Sequence, residues 1–168
     1  MTISMYQTSV PAFVHTLTQL SAILDKAEAY AAAKKIDPAV LVNARLYPDM
    51  FPLSRQIQIA CDFAKGTPAR LAGKDVPSWP DNEATFADLK ARIAKTIAFA
   101  KTFSAADIDG SEGRDISLKW GPQTLSFKGQ PYLVHFALPN FYFHAGIAYA
   151  ILRHNGLDVG KGDFIGSV

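Results

Sequence analysis

Pro139 to Gly156 reads PNFYFHAGIAYAILRHNG. Pro139 is a natural first helical residue, and Asn155-Gly156 is a good C-cap. The segment between them is apolar on nearly every side, which marks a helix that is central or covered twice. Ala145, Gly146, Ala148 and Ala150 permit close approach of a neighbouring helix. A helix of this kind needs amphipathic partners, and the chain supplies three.

From about Val10 to Lys35, Phe13, Leu17, Leu20, Leu24, Ala27 and Ala31 recur every three or four residues, an apolar stripe on one face. Asp37-Pro38 reads as N-cap and first position of a short helix, roughly Pro38 to Leu46, and Pro48 and Pro52 bracket a rigid connector. Leu53, Ile57, Cys61, Ala64, Pro68 and Leu71 form a second stripe that keeps its phase across Gly66-Thr67-Pro68, so the spacing predicts one kinked helix. Gly73 to Pro80 is a loop. Thr85 and Asp88 form a capping-box-like start for a third helix carrying Phe86, Leu89, Ile93, Ile97, Ala100 and Phe103.

Ser104 to Arg114 reads as a loop. The period then changes to two: Ile116, Leu118 and Trp120 alternate with polar residues, Gly121-Pro122-Gln123 turns, and Leu125 and Phe127 alternate back. This β-hairpin must pack on the helices through Trp120 or Phe127, because a lone hairpin is marginal in water. Leu157 to Val168 reads as a loop tail. The expected architecture is one domain, residues 1–168, mainly all-α: a four-helix bundle with a small hairpin between the third and fourth helices.

Composition excludes several classes. The 168 residues are 49% apolar and 19% charged with a net charge of +2, which argues against disorder and leaves no footprint for nucleic acid. Met1 to Pro11 holds no Lys or Arg and no apolar run of signal-peptide type. The longest stretch free of charged residues, Gly129 to Leu152, is interrupted by Gln, Pro, His and Asn, so no membrane span is expected and the chain reads as cytoplasmic. One cysteine, Cys61, excludes an intrachain disulfide and sits in an apolar pattern as buried filler. Nucleotide-binding glycine fingerprints, G-x-S-x-G and H-E-x-x-H are absent from the sequence.

What remains for chemistry is a few polar residues in apolar surroundings. His144 lies one turn after Asn140 on the same helix face, and such a pair either lines a cavity or is hydrogen-bonded in the core. His15 reads as surface, His135 as part of an extended stretch, and His154 as complementing the helix dipole in the last turn. On the second helix, Gln56 and Gln58 lie on opposite sides, so only one is expected to face inward. Asp62 reads as an exposed acid pairing with Lys65 or Arg55. Tyr142 and Tyr149 are one heptad apart and read as core residues with bonded hydroxyls.

RLYPDMFPLSRQIQIACDFAKG (Arg45 to Gly66), LPNFYFHAGIAYAILRHNG (Leu138 to Gly156) and GKGDF (Gly160 to Phe164) resemble an uncharacterised bacterial family of the DinB-like (YfiT-like) superfamily of metalloenzyme-type bundles. The resemblance implies an up-down-down-up four-helix bundle and often a homodimer. Metal-binding members of that superfamily place three histidines at one end of the bundle, one from the second helix and two from the fourth in the pattern H-x-x-x-H-R-G-Q. Carried over through Ile151 to Gly156, the pattern puts His144 at its second histidine and Asn140 at its first, with Gly146 on its glycine. Gln56 or Gln58 stands where the second-helix histidine would be. Only His144 is retained, so the metal site reads as degenerate.

The sequence therefore supports a pocket for a small polar molecule, with His144, Asn140, Gln56, Gln58, Asp62, Tyr149 and Asp49 as candidate ligand-binding residues. No cofactor is expected; the metal the superfamily would bring is Zn²⁺ or Ni²⁺, with His144 as its ligand. The alternatives are a metal-assisted hydrolase or thiol transferase using His144 as ligand or base, and a dimeric interaction module.

Overall fold

The computed structural model describes residues 4–167. Ser4 accepts the Gln7 N–H on its hydroxyl at 3.1 Å, so the first helix, α1 (Met5–Lys34), begins before its apolar stripe does. It ends on Lys35 in the left-handed region, φ 56°. Asp37 caps α2 (Pro38–Val42), and α3 (Leu53–Leu71) runs through Pro68 as one helix. The capping box of α4 (Phe86–Ala100) forms as its sequence suggests: Asp88 N–H donates to Thr85 Oγ1 at 3.1 Å, and Thr85 N–H donates to Asp88 Oδ2 at 3.0 Å.

Two expected loops contain short helices, α5 (Ala105–Ile108) and α8 (Lys161–Ile165). Each is about one turn long, too short to show a hydrophobic period. Between them, β1 (Asp115–Trp120) pairs antiparallel with β2 (Gln123–Lys128), Ile116 opposite Phe127. Ile116 is buried, and Phe127 stacks toward Phe136 and Tyr132 at centroid distances of 5.1 and 6.0 Å, which docks the hairpin on the bundle. The side chain of Trp120 lies outside what the structure describes.

The last long helix departs most from its sequence reading. It does not start at Pro139. It begins ten residues earlier with α6 (Gly129–Tyr132), passes through a π-helical turn (Leu133–Ala137) and continues as α7 (Leu138–His154). His135 is thus helical and exposed, not extended. A proline inside a helix removes one donor and crowds the carbonyl four residues back. The widened turn just ahead of Pro139 accommodates both, so the backbone stays helical where the sequence suggests a boundary.

Side-chain pairs give the helix directions. Thr67 meets Tyr132 at 3.5 Å, Phe63 meets Phe136 (centroids 5.8 Å) and Gln56 meets His144 at 2.7 Å, so α3 and α6–α7 run antiparallel. Arg92 reaches Asp62, and Lys65 and Lys95 both sit over Trp79, so α3 and α4 run parallel. Phe13 meets Phe141 and Tyr30 meets Asn155, so α1 and α7 also run parallel. The topology is up-down-down-up. The parallel α3–α4 pair requires the chain to return along the bundle between them, and residues 72–85 make that return. The stripe residues Phe13, Leu17, Leu20, Leu24, Leu53, Ile57, Leu89 and Phe141 form the core, with Cys61 buried among them.

Candidate functional site

Along the α3–α7 seam lies a cleft of about 530 Å³. Arg55, Ile59, Asp62, Phe63 and Arg70 line it from α3, Asn140, Phe143 and His144 from α7, Leu118 and Lys119 from the hairpin, and Phe51 from the connector. The α3 residues recur at helical spacing, which places them on one side of that helix.

His144 is held by Gln56. Gln56 Nε2 donates to the Phe51 carbonyl at 3.1 Å, which orients its amide and presents Oε1 to His144 Nδ1 at 2.7 Å. Oε1 can only accept, so Nδ1 carries the proton in the neutral ring and Nε2 keeps its lone pair. Among the described residues Nε2 has no protein partner. Burial, and secondarily the positive charge of Arg55, push the imidazole pKa down to about 4, so the ring is neutral near pH 7. Phe63 and Phe143 flank it, with ring centroids 6.4 and 5.2 Å away. Asn140 lies one turn earlier; its Nδ2 donates to the Phe136 carbonyl at 2.7 Å, which leaves Oδ1 as the acceptor toward the cleft.

Gln56 and Gln58 are both buried, contrary to the expectation that only one faces inward. They are buried in different places because α3 is covered on two sides. Gln58 turns away from His144, donates to Glu83 at 2.9 Å and accepts from Arg55 at 3.2 Å. Asp62 is half-buried rather than exposed, and it pairs with Lys65 at 2.9 Å and Arg92 at 3.0 Å, not with Arg55. Arg55 pairs instead with Asp81. Arg92, its side chain 2% exposed, also meets Asp81 at 2.9 Å and Glu83 at 3.0 Å. The return segment 72–85 is fastened to α3 and α4 by this cluster, a long-range arrangement that no local spacing encodes.

Gln56 supports the cleft from behind His144 and Gln58 lies off it, and two further candidates lie outside it altogether. Tyr149 packs on Phe164, centroids 5.7 Å apart, and donates to the Val159 carbonyl at 3.4 Å. Asp49 is exposed in the connector. Cys61 is an inert position, because burial raises its thiol pKa to about 12. Sequence reasoning missed the aromatic and apolar lining, Phe51, Ile59, Phe63, Phe143 and Leu118, and the cations Arg55, Arg70 and Lys119. Gly66 is the available signal for Arg70: a Cβ there would overlap the Arg70 guanidinium, so glycine is what lets the arginine lie along α3.

The donor chemistry of the cleft does not fit Zn²⁺ or Ni²⁺. Gln56 Oε1 is engaged by His144 and the Asp62 carboxylate by Lys65 and Arg92, which leaves one imidazole nitrogen and one amide oxygen beside two guanidinium groups. Among the described residues, no group of three or more His, Cys, Asp or Glu is placed to hold a metal ion. Nor is any described helix long and apolar enough to cross a membrane.

A profile of the domain of unknown function DUF1993 matches residues 5–165. A solved structure of a DinB family member protein from Shewanella denitrificans is 43% identical, with a TM-score of 0.89, over 97% of this chain and 92% of that one. No curated protein matches the chain.

Proposed function

The chain belongs to the domain-of-unknown-function family DUF1993, and from that premise we propose that it is a small-molecule-binding bundle whose ligand sits in the α3–α7 cleft and whose site works without a metal ion. The observation that carries this reading is the His144–Gln56 hydrogen bond. It fixes the tautomer, and Nε2 becomes an acceptor on the wall of an open cleft. Asn140 Oδ1 supplies a second acceptor one turn away. A ligand bearing an N–H or O–H donor satisfies both, and the aromatic walls from Phe63 and Phe143 take its apolar part. An imidazole with its pKa near 4 is a weak base and a steady acceptor, which favours binding over proton abstraction.

The test is a screen of small polar fragments read by the ring ¹⁵N signals of His144. Fragments that bind in the cleft shift the Nε2 signal and leave Nδ1 nearly unmoved, and His144→Ala abolishes their binding. If no fragment moves Nε2 at millimolar concentration, this reading falls.

A further inference from the structure

The cleft carries charge that the protein itself does not neutralise. Arg55 is engaged by Asp81, and Asp62 by Lys65 and Arg92. Arg70 and Lys119 also line the cleft, and neither has a carboxylate within 4.0 Å among the described residues. Arg70 is half-buried, donates to the Tyr132 hydroxyl at 3.1 Å, and lies over Gly66. A guanidinium fixed in this way, half out of water and without a counter-ion, is pre-organised for a planar two-oxygen anion.

The opposite end of the cleft has the opposite need. His144 Nε2 and Asn140 Oδ1 are both acceptors, which an anion would be repelled by and a hydroxyl or N–H would satisfy. Gln56 marks that end and Gly66 marks the Arg70 end, and ten residues of helix separate them, about 15 Å along the axis at 1.5 Å per residue. Between the two ends the wall is Ile59, Phe63 and Leu118, together with Asp62, which Lys65 and Arg92 neutralise. The cleft thus has cations without a carboxylate partner at one end, acceptors beside the Asp81-paired Arg55 at the other, and a mainly apolar middle in which the one carboxylate, Asp62, is paired with Lys65 and Arg92.

We propose that the ligand class is an elongated organic carboxylate, its carboxylate on Arg70 with Lys119 nearby, its apolar chain along Ile59, Phe63 and Leu118, and a hydroxyl or N–H at its far end on His144 and Asn140. This rests on the reading of the cleft as a binding site. It adds the sign of the charge, the length, and the polarity of each end.

The experiment compares three probes of equal chain length on the full chain by calorimetry: 10-hydroxydecanoate, decanoate and 1,10-decanediol. A charge-assisted guanidinium pair is expected to make 10-hydroxydecanoate bind about tenfold or more tightly than the diol. Decanoate, lacking the far-end donor, falls between them. Arg70→Gln removes the preference for the acid over the diol and leaves diol binding in place. Its melting temperature, measured alongside, separates lost charge recognition from lost fold. The wild-type comparison of acid with diol decides the matter without any variant. Equal binding of acid and diol would overturn the carboxylate assignment and leave the cleft a binding site. The absence of binding by all three, while polar fragments still shift His144 Nε2, would also overturn it without touching the broader reading. Silence of both the probes and the fragments removes the cleft reading itself.

Discussion

His144 shows how one hydrogen bond sets the chemistry of a site. Its imidazole pKa is held down to about 4, against an ordinary value near 6.5, so the unfolded chain takes up a proton at higher pH than the native one does. The contribution of this group to stability is therefore complete above about pH 6.5 and declines as pH falls toward 4. Urea titrations of the wild type should lose more stability between neutral and mildly acidic pH than those of His144→Asn, which has no ring to protonate. Parallel slopes would contradict the depressed value. Arg92 is the second residue whose role is testable alone. Arg92→Met leaves Asp62, Asp81 and Glu83 facing one another without their shared cation. A loss of roughly 1–3 kcal/mol in chemical denaturation is expected, since Glu83, the most buried of the three acids, loses its cation while Asp62 keeps Lys65 and Asp81 keeps Arg55. Of the site, His144, Asn140 and Gln56 were legible in the sequence, because polar residues in an apolar pattern must point at something. Arg70 and Arg92 were not: a basic residue on an amphipathic helix looks the same whether it faces water or a cleft, and its partners lie on other elements.

The elements follow their sequence patterns where the pattern is long. Three stripes and the alternating hairpin are where their periods put them, and the Thr85–Asp88 box sits at its helix start. The short helices leave no mark in the sequence pattern, because a single turn has no period. The beginning of the last helix is masked in the sequence by Pro139, a boundary signal that the π-helical turn overrides. Gly129 is where that helix starts, and it lies hard against the chain at Ser111, whose carbonyl oxygen occupies the place a Cβ would take. Gly129→Ala must push this backbone apart. It should cost about 1–3 kcal/mol and lower the melting temperature, with the effect localised to the hairpin and residues 104–114 in amide exchange. An unchanged melting temperature would mean that the contact is looser than drawn.

At the scale of the whole molecule, the four long helices share one core and leave the cleft on its flank. On the metal-free reading proposed above, a chelator is expected to leave the thermal midpoint of the purified protein unchanged. A drop of several degrees would mean that a bound ion contributes to the native state. Cys61 offers a second global test. Its thiol is buried in the core and disfavours ionisation, so a thiol reagent should label it only when the bundle opens, and the labelling rate should track denaturant as unfolding does. Fast labelling in native buffer would place a local opening beside α3.

The π-helical turn of the last helix also has an angular consequence. Tyr132, Phe136, Asn140 and His144 step by four, and in an unbroken α-helix twelve residues carry a side chain about 120° past its starting azimuth. The wide turn absorbs roughly one residue of winding, which cuts that drift to about 20°. On the facing α3, Gln56 meets His144, Phe63 meets Phe136 and Thr67 meets Tyr132, so the contacts stay on one flank across the turn. Deleting one position from Leu133–Ala137 would rotate everything before it by about 100° relative to everything after it. Tyr132, with the Arg70 guanidinium it steadies, would then look away from the flank that His144 faces.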